Sequence, residues 1–246
     1  MADDGRGMKF GTVAENYDRY RPSPPQEAAG LFGDLRGLDV LEVGAGTGKL
    51  TRFLLELGAD LSIIEPDDDM RKILLRQSPN VHVLKGRAEE IPVDDSSFDA
   101  VFSSSAWHWF QQPDATNEMA RVLRNNGTLY VLWNGFSRDV PWMAELTTLR
   151  ERPADANARP RGWRGDFDAA GAFVDVRDVS LDWTFTRSID DVVALFSTYS
   201  GAIIQSDDER GEMAKAVRQR LTEHVGDGVV VLPMTLRGTI ARRRPR

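Results

Sequence analysis

No cysteine occurs anywhere in the 246 residues. Its absence excludes disulfides, thiolate metal ligands, the cysteine cluster of a radical enzyme and any cysteine nucleophile, so the chemistry must use oxygen, nitrogen or a bound cofactor. No uninterrupted apolar run approaches the roughly 18 residues that suggest a membrane span, and Met1-Ala2-Asp3-Asp4 lacks the basic and apolar regions of a secretory signal. The expectation is a cytoplasmic protein with no membrane partner. Positive charge is also in deficit, 31 Lys and Arg against 38 Asp and Glu for a net charge of −7. Nucleic-acid binding rests on neutralising phosphates, so nucleic acid is not an expected partner. The terminal Arg242-Arg243-Arg244-Pro245-Arg246 is a local exception and reads as a solvated, frayed tail. Histidine is scarce, with only His82, His108 and His224.

What is present is a large apolar complement, 41% of the chain, in a rhythm of strands and helices. Residues 1–9 are polar and aperiodic, and order is expected from Phe10. Short helices over 13–20 and 25–32 flank Arg21-Pro22-Ser23-Pro24-Pro25, where proline disfavours helix. Strands are predicted at 39–43, 61–64, 81–85, 98–103 and 128–133, the last after an Asn126-Gly127 turn. Helices at 48–57, 67–77 and 114–123 alternate with them, which is the rhythm of a parallel sheet. Beyond Trp133 come a helix over 141–150, an irregular stretch over 152–164, a strand over 173–187, helices over 189–199 and 207–225, and a closing strand over 229–237.

The expected fold class is therefore α/β: a doubly wound, Rossmann-like, mostly parallel seven-stranded sheet with helices on both faces, an antiparallel strand at one edge and a helical cap. It is read as a single domain, with an N-terminal arm and helices in 1–36, a cofactor-binding core in 37–135, a substrate-side cap with a late strand in 136–228, and a closing strand and basic tail in 229–246.

The chain is organised around Gly44-Ala45-Gly46-Thr47-Gly48, placed between apolar Val40-Leu41-Glu42-Val43 and Lys49-Leu50-Thr51. A tight strand-to-helix turn uses glycine for left-handed backbone and for close approach of a ligand, and the next helix N-terminus offers free N–H groups. In doubly wound folds such a turn binds cofactors. The dinucleotide fingerprint needs glycine at the sixth position, where Lys49 stands. The phosphate loop needs Ser or Thr after Gly-Lys, where Leu50 stands.

The segment Glu42-Val43-Gly44-Ala45-Gly46-Thr47-Gly48 resembles motif I of the class I S-adenosylmethionine-dependent methyltransferases, and the resemblance continues downstream. Glu65, followed by Pro66, stands where that family's acidic residue accepts both ribose hydroxyls, a role suited to a carboxylate because both hydroxyls donate. Gly86-Arg87-Ala88-Glu89-Glu90-Ile91-Pro92 resembles the adenine-contacting segment. The stretch 98–105 followed by Ala106-Trp107-His108-Trp109-Phe110 resembles the fourth strand and the entry to the methyl-transfer site. The opening stretch 10–22 and Leu232-Pro233-Met234-Thr235 resemble the small-molecule branch related to trans-aconitate methyltransferase.

The resemblance implies S-adenosyl-L-methionine as cofactor and S-adenosyl-L-homocysteine as product. The implied cofactor residues are Tyr17, Arg21, Glu42, Gly44, Ala45, Gly46, Thr47, Gly48, Glu65, Pro66, Arg87, Ala88, Glu89, Ser103 and Ser104. Tyr17 and Arg21 are expected to close over the methionine end. Tyr20, Trp107, Trp109, Trp133, Phe136 and Trp142 are implied as the acceptor wall. His108, between two tryptophans, is the candidate catalytic base, with a hydrogen-bonded wall residue as its other reading.

Asp67-Asp68-Asp69 reads as a helix cap, and no metal is expected. The Asn/Asp-Pro-Pro-Tyr segment of base-amine methyltransferases is absent where Ser103-Ser104-Ser105-Ala106 stands. The expected acceptor is thus a small molecule, methylated on a hydroxyl or carboxylate oxygen. If Arg152, Arg159, Arg161 and Arg164 face the pocket, a carboxylate-bearing acceptor is favoured. The alternatives are a nicotinamide-dependent oxidoreductase and a non-catalytic S-adenosylmethionine-binding protein. A monomer or homodimer is expected.

Overall fold

A computed structural model describes residues 14–149, 167, 171–203, 205–226 and 228–245. The aperiodic residues 1–9, the start of the arm at Phe10 and the arginine-rich stretch 152–164 lie outside the described residues. In chain order the elements are α1 (Ala14–Tyr20), a 3-10 turn (Gln26–Ala28), α2 (Ala29–Phe32), β1 (Asp39–Val43), α3 (Lys49–Glu56), β2 (Asp60–Ile64), α4 (Asp68–Gln77), β3 (His82–Leu84) and β4 (Phe98–Ser104). There follow a 3-10 turn (Trp107–Trp109), α5 (Asp114–Val122), β5 (Leu123–Phe136), α6 (Pro141–Thr148), β6 (Phe173–Ser188), α7 (Ile189–Ser197), α8 (Ser200–Ile203), α9 (Asp207–Val225) and β7 (Val229–Arg243).

The seven strands form one sheet in the order β3-β2-β1-β4-β5-β7-β6. The pairs β1–β2, β1–β4, β2–β3 and β4–β5 are parallel, and the sheet as a whole is mixed. The strand order reverses between β1 and β4. In open α/β sheets that reversal opens a crevice at the carboxyl ends of the strands.

The chain divides into two compact units. The first comprises Ser23–Asn134, Pro160–Leu181 and Leu236–Arg246. Its strands alternate in facing because successive side chains point to opposite sides. Val40, Ile63 and Phe102 pack with Phe32, Leu50, Phe53, Leu54 and Leu74 from α2, α3 and α4. Leu41, Val43, Ile64 and Val101 pack with Ala115, Met119 and Val122 from α5. Each of these Val, Leu, Ile, Phe and Met side chains, once fully buried, contributes about 1.5–3 kcal/mol. Phe102 stacks on Tyr130 with centroids 4.3 Å apart, and the Tyr130 hydroxyl donates to the Phe32 carbonyl at 3.1 Å.

The second unit comprises Met1–Pro22, Gly135–Arg159 and Asp182–Thr235. Phe136, Met143, Leu146, Val192, Leu195, Phe196, Met213, Val217 and Leu221 form its core. Its longest helix, α9, opens on a capping box in which Ser206 and Glu209 serve each other's backbone N–H groups.

The structure corrects three expectations. The helix expected over 25–32 is a 3-10 turn leading into a single turn of α2, bounded by Pro25 and by Gly33 at φ 74°. The Asn126-Gly127 turn lies inside β5, where Asn126 takes φ 65° opposite a register irregularity between Phe98 and Ala100. A bulge accommodates a turn-prone pair without ending the strand. The basic tail is not frayed: β7 runs to Arg243, Arg242 pairs with Asp175, and Arg243, 7% exposed, donates to the carbonyls of Ala120 (2.7 Å) and Ala172 (3.1 Å). Orphaned buried carbonyls are costly, so Arg243→Met is expected to lower stability by about 2–4 kcal/mol in urea unfolding; a frayed tail would leave the midpoint unchanged.

Candidate active site

β1 ends at Val43 and the chain turns through Gly44, Gly46 and Gly48, at φ 73°, 60° and 84°, into α3. At Gly44 a side chain has no room: an added Cβ would stand 2.7 Å from the Ala106 Cβ and 3.2 Å from the Phe110 ring. At Gly46 nothing among the described residues lies within 4 Å of an added Cβ, so the middle of the turn faces open space there. The Gly44 N–H donates to the Ile64 carbonyl at 2.8 Å, carrying the β1–β2 pairing into the turn.

Glu65 closes the turn from the side of β2. Its Oε2 accepts from the Gly46 N–H at 2.7 Å and its Oε1 from the Asp67 N–H at 2.9 Å. Burial, at 6% exposure, pushes its carboxyl up, and the two backbone N–H groups oppose that shift. Arg71 holds the adjoining backbone by donating to the carbonyls of Glu65 and Pro66. Asp67 caps α4, accepting from the Asp69 and Met70 N–H groups, while exposed Asp68 and Asp69 pair with Arg71, Lys72 and Lys85.

Glu42, 1% exposed, accepts from the Thr51 hydroxyl at 2.6 Å. Burial pushes its carboxyl up to about 8; Thr51 opposes the shift, the Glu65 charge adds to it and Arg52 opposes it. Thr47 Oγ1 and Ser103 Oγ are buried without a hydrogen-bond partner among the described residues. Ala45 and Ser104 are half-buried beside them in sequence.

After β3, Ala88 is buried at 4% exposure in the α5-side core. Glu89 accepts from the Gln111 N–H at 2.7 Å and pairs with exposed Arg87 at 3.3 Å, so this segment is tied to the exit of β4. At that exit Ser105 takes φ 56°. A left-handed non-glycine residue costs on the order of 1–3 kcal/mol and clusters at functional sites.

The 3-10 turn Trp107–Trp109 follows. His108 is exposed, with its ring 4.6 Å from that of half-buried Trp109. Trp107 is core rather than wall: it is 3% exposed and stacks on Phe167 at 5.3 Å and 9°. Trp133 packs half-buried against the same core.

The remaining sequence-derived residues belong to the second unit. Arg21 donates through Nε to Thr198 Oγ1 (2.9 Å) and through Nη2 to the Thr198 carbonyl (3.1 Å). Its guanidinium lies 3.5 Å over the Tyr199 ring and 5.0 Å from that of Tyr17. Tyr20 packs half-buried against that unit's core. Phe136, expected in the acceptor wall, is 7% exposed and stacks on Phe196 at 5.3 Å, which makes it a core residue. Trp142 stacks on His224 at 4.1 Å and lines a cavity of about 420 Å³ with Glu145, Leu149 and Arg220.

Sequence reasoning gave no role to Thr51 or Thr198. Thr51 is the one buried polar residue on a helix face otherwise made of Leu50, Phe53 and Leu54, a pattern that could have found it. Nothing local marks Thr198, whose partner is 177 positions away.

The methyltransferase-domain family matches residues 41–131, from β1 through most of β5. An uncharacterized methyltransferase of Mycobacterium tuberculosis is 35% identical over 217 residues, covering 88% of this chain and 87% of its own. The chain belongs to the class I S-adenosylmethionine-dependent methyltransferases.

A malonyl-[acyl-carrier protein] O-methyltransferase of Pectobacterium atrosepticum is 28% identical over 124 residues, 49% of each chain. The fold is shared with the structure of a putative type II methyltransferase from Anaeromyxobacter dehalogenans, with a TM-score of 0.61 at 20% identity over 92% of this chain and 98% of that one. These likenesses reach the class; the trans-aconitate-like branch rests on the arm and closing-strand motifs alone.

The residues present fit S-adenosylmethionine. Among the described residues, open space above Gly46, two buried hydroxyls without partners and a carboxyl at the end of β2 suit a ligand bearing a ribose diol and an ammonium group.

The two glycines separate in mutation. Gly44→Ala combines left-handed strain with overlap on Ala106 and is expected to cost about 2–4 kcal/mol of stability. Gly46→Ala should cost only about 1 kcal/mol yet weaken S-adenosylhomocysteine binding. Chemical denaturation and calorimetry read the two effects, and equal destabilisation would remove the distinction.

Proposed function

We propose that this methyltransferase acts on a small molecule, methylating a hydroxyl or carboxylate oxygen. The observation that carries the reading is the exposed imidazole of His108 three residues after the strained Ser105, on a turn whose flanking Ala106 and Phe110 abut Gly44. The O-methyltransferase named among the relatives supports oxygen as the acceptor atom. When bound, S-adenosylmethionine supplies a sulfonium methyl group open to in-line displacement.

In this reading Glu65 accepts from the ribose hydroxyls through lone pairs that the Gly46 and Asp67 N–H groups leave over, with Pro66 beside it. Gly44, Ala45, Gly46, Thr47 and Gly48 let the ligand lie against the backbone, and Thr47, Ser103 and Ser104 offer hydroxyls. Arg87, Ala88 and Glu89 flank the adenine. Trp109 shields the reacting end from water, and His108 takes the proton of a hydroxyl acceptor. Trp133 is assigned to the same acceptor side. Tyr17 and Arg21 act on carboxylate recognition, while Tyr20 and Trp142 contribute to acceptor selection.

The reading places a monomer or homodimer in the cytoplasm. Among the described residues no helix is long and apolar enough to cross a membrane.

Incubation with isotopically labelled S-adenosylmethionine and a metabolite library, followed by mass spectrometry, should show label on an oxygen of one acceptor class. Cofactor binding without transfer to any acceptor would leave a non-catalytic binding protein, and tight nicotinamide-dinucleotide binding would point to an oxidoreductase. Glu65→Ala is expected to weaken S-adenosylhomocysteine binding by about tenfold or more, and unchanged affinity would remove its ribose role. With a hydroxyl acceptor in hand, His108→Ala should lower turnover by about a hundredfold while leaving cofactor affinity in place; an unchanged rate would return His108 to the wall.

A further inference from the structure

Beneath the glycine turn lies a buried carboxyl to which the proposed transfer assigns no step. Glu42 is the penultimate residue of β1, and its register partners are Ile63 on β2 and Phe102 on β4. It therefore faces the side of the sheet covered by α3, where it meets Thr51 in the first helical turn. That is the one hydrogen bond of its side chain among the described residues. The charged groups around it are Glu65 at the end of β2 and Arg52 on α3. Arg52 donates to the Thr47 carbonyl at 3.1 Å, so it serves the loop, and among the described residues no ion pair reaches Glu42.

Two buried carboxyls at the ends of adjacent strands, flanking one short turn, cannot both ionise cheaply. Glu65 receives a backbone N–H on each oxygen, which favours its charged form. Glu42 has only a hydroxyl beside it, and a hydroxyl serves a neutral acid as well as a carboxylate because it also accepts. Of the pair, Glu42 is the one that keeps its proton in the free protein.

We infer that Glu42 is a specificity-determining residue for the sulfonium. It gives up its proton to solvent as the cationic cofactor binds and regains one after the methyl has left and a neutral thioether remains. This rests on the S-adenosylmethionine reading. The residue acts through charge and through the loop it supports, and it thereby favours the methyl donor over the spent product.

Calorimetry of the ligand-free protein with S-adenosylmethionine and with S-adenosylhomocysteine, each in phosphate and in Tris at pH 7, counts protons released on binding. The expected result is greater release with the sulfonium. The ratio of the two dissociation constants should then widen in favour of the donor as pH rises toward 8, by at most about tenfold per pH unit for one proton, and level off above. Glu42→Gln keeps a partner for Thr51 and cannot ionise, so the excess release and the pH dependence of the ratio should vanish. The ligands' own amino groups titrate alike against both proteins.

Equal proton counts for the two ligands, or an excess that survives in E42Q, would overturn the inference while leaving the cofactor assignment standing. Binding of neither ligand to the wild type would overturn both.

Thermal unfolding of the ligand-free proteins gives a second reading. Because the folded-state value is raised, Glu42 contributes stability that is fully present below its unfolded value of 4.5 and is lost as pH rises through about 8. Wild type should therefore lose stability relative to E42Q over that window, and parallel curves would place the proton elsewhere.

Discussion

The Glu65 carboxylate is the constraint on which the carboxyl edge of the sheet depends. One oxygen fixes the middle of the turn that leaves β1, through the Gly46 N–H, and the other fixes the start of the next helix, through the Asp67 N–H. Asp67 in turn accepts from the first N–H groups of α4. A single side chain thus sets the position of a loop and of a helix entry on neighbouring strands. Burying a carboxylate costs several kcal/mol, and two hydrogen bonds to a charged acceptor offset about 1.5–3 kcal/mol each. The arrangement leaves a buried, hydrogen-bonded acceptor at the carboxyl end of β2, beside the turn that leaves β1.

Around that carboxylate the turn is held from the other side by close packing. Gly44 is flanked by Ala106 and Phe110, so β4 and the 3-10 turn after it can approach only because position 44 has no side chain. Ser105 absorbs the change of direction in a left-handed conformation. The His108 imidazole is consequently positioned by backbone geometry on both of its flanks, by the strained serine before it and by the Phe110 contact after it. Its own environment is exposed.

This construction explains which parts were legible in the sequence. The β1 strand, the glycine turn and α3 are encoded by consecutive residues, with a strand pattern, a glycine spacing and a helical apolar face, so local reading found them. The aspartate run was read as a cap for the same reason, since Asp67 serves residues two and three positions on. β5 and β7 were read too short because neighbouring strands override local turn and tail propensities: Asn126 is absorbed in a bulge and Arg243 finds carbonyls of Ala120 and Ala172. Trp107 and Phe136 were assigned to the wall because aromatic character does not distinguish a core ring from an exposed one. The partners that decide it, Phe167 and Phe196, are remote in the chain. Glu42 was visible as a motif residue, but its burial and the upward push on its carboxyl follow only from the register that sets it against Thr51 and beneath α3.

The uneven investment in the site has a physical logic. Displacement at a sulfonium moves charge away from the reacting centre and creates no oxyanion to be stabilised, so alignment and exclusion of water matter more than a strong base. Burial accordingly falls on Glu42 and Glu65, at the carboxyl ends of β1 and β2, while His108 is exposed. A buried group whose charge follows the ligand's own spares the free protein an uncompensated charge, at a cost in affinity below its free-state pKa. A fixed buried anion with no partner would destabilise the free protein, whereas a carboxyl that stays neutral until a cation arrives imposes that cost only when it is compensated. A methyltransferase turns a cation into a neutral product at every cycle, and a proton that moves in the opposite sense keeps the buried charge balanced in both states.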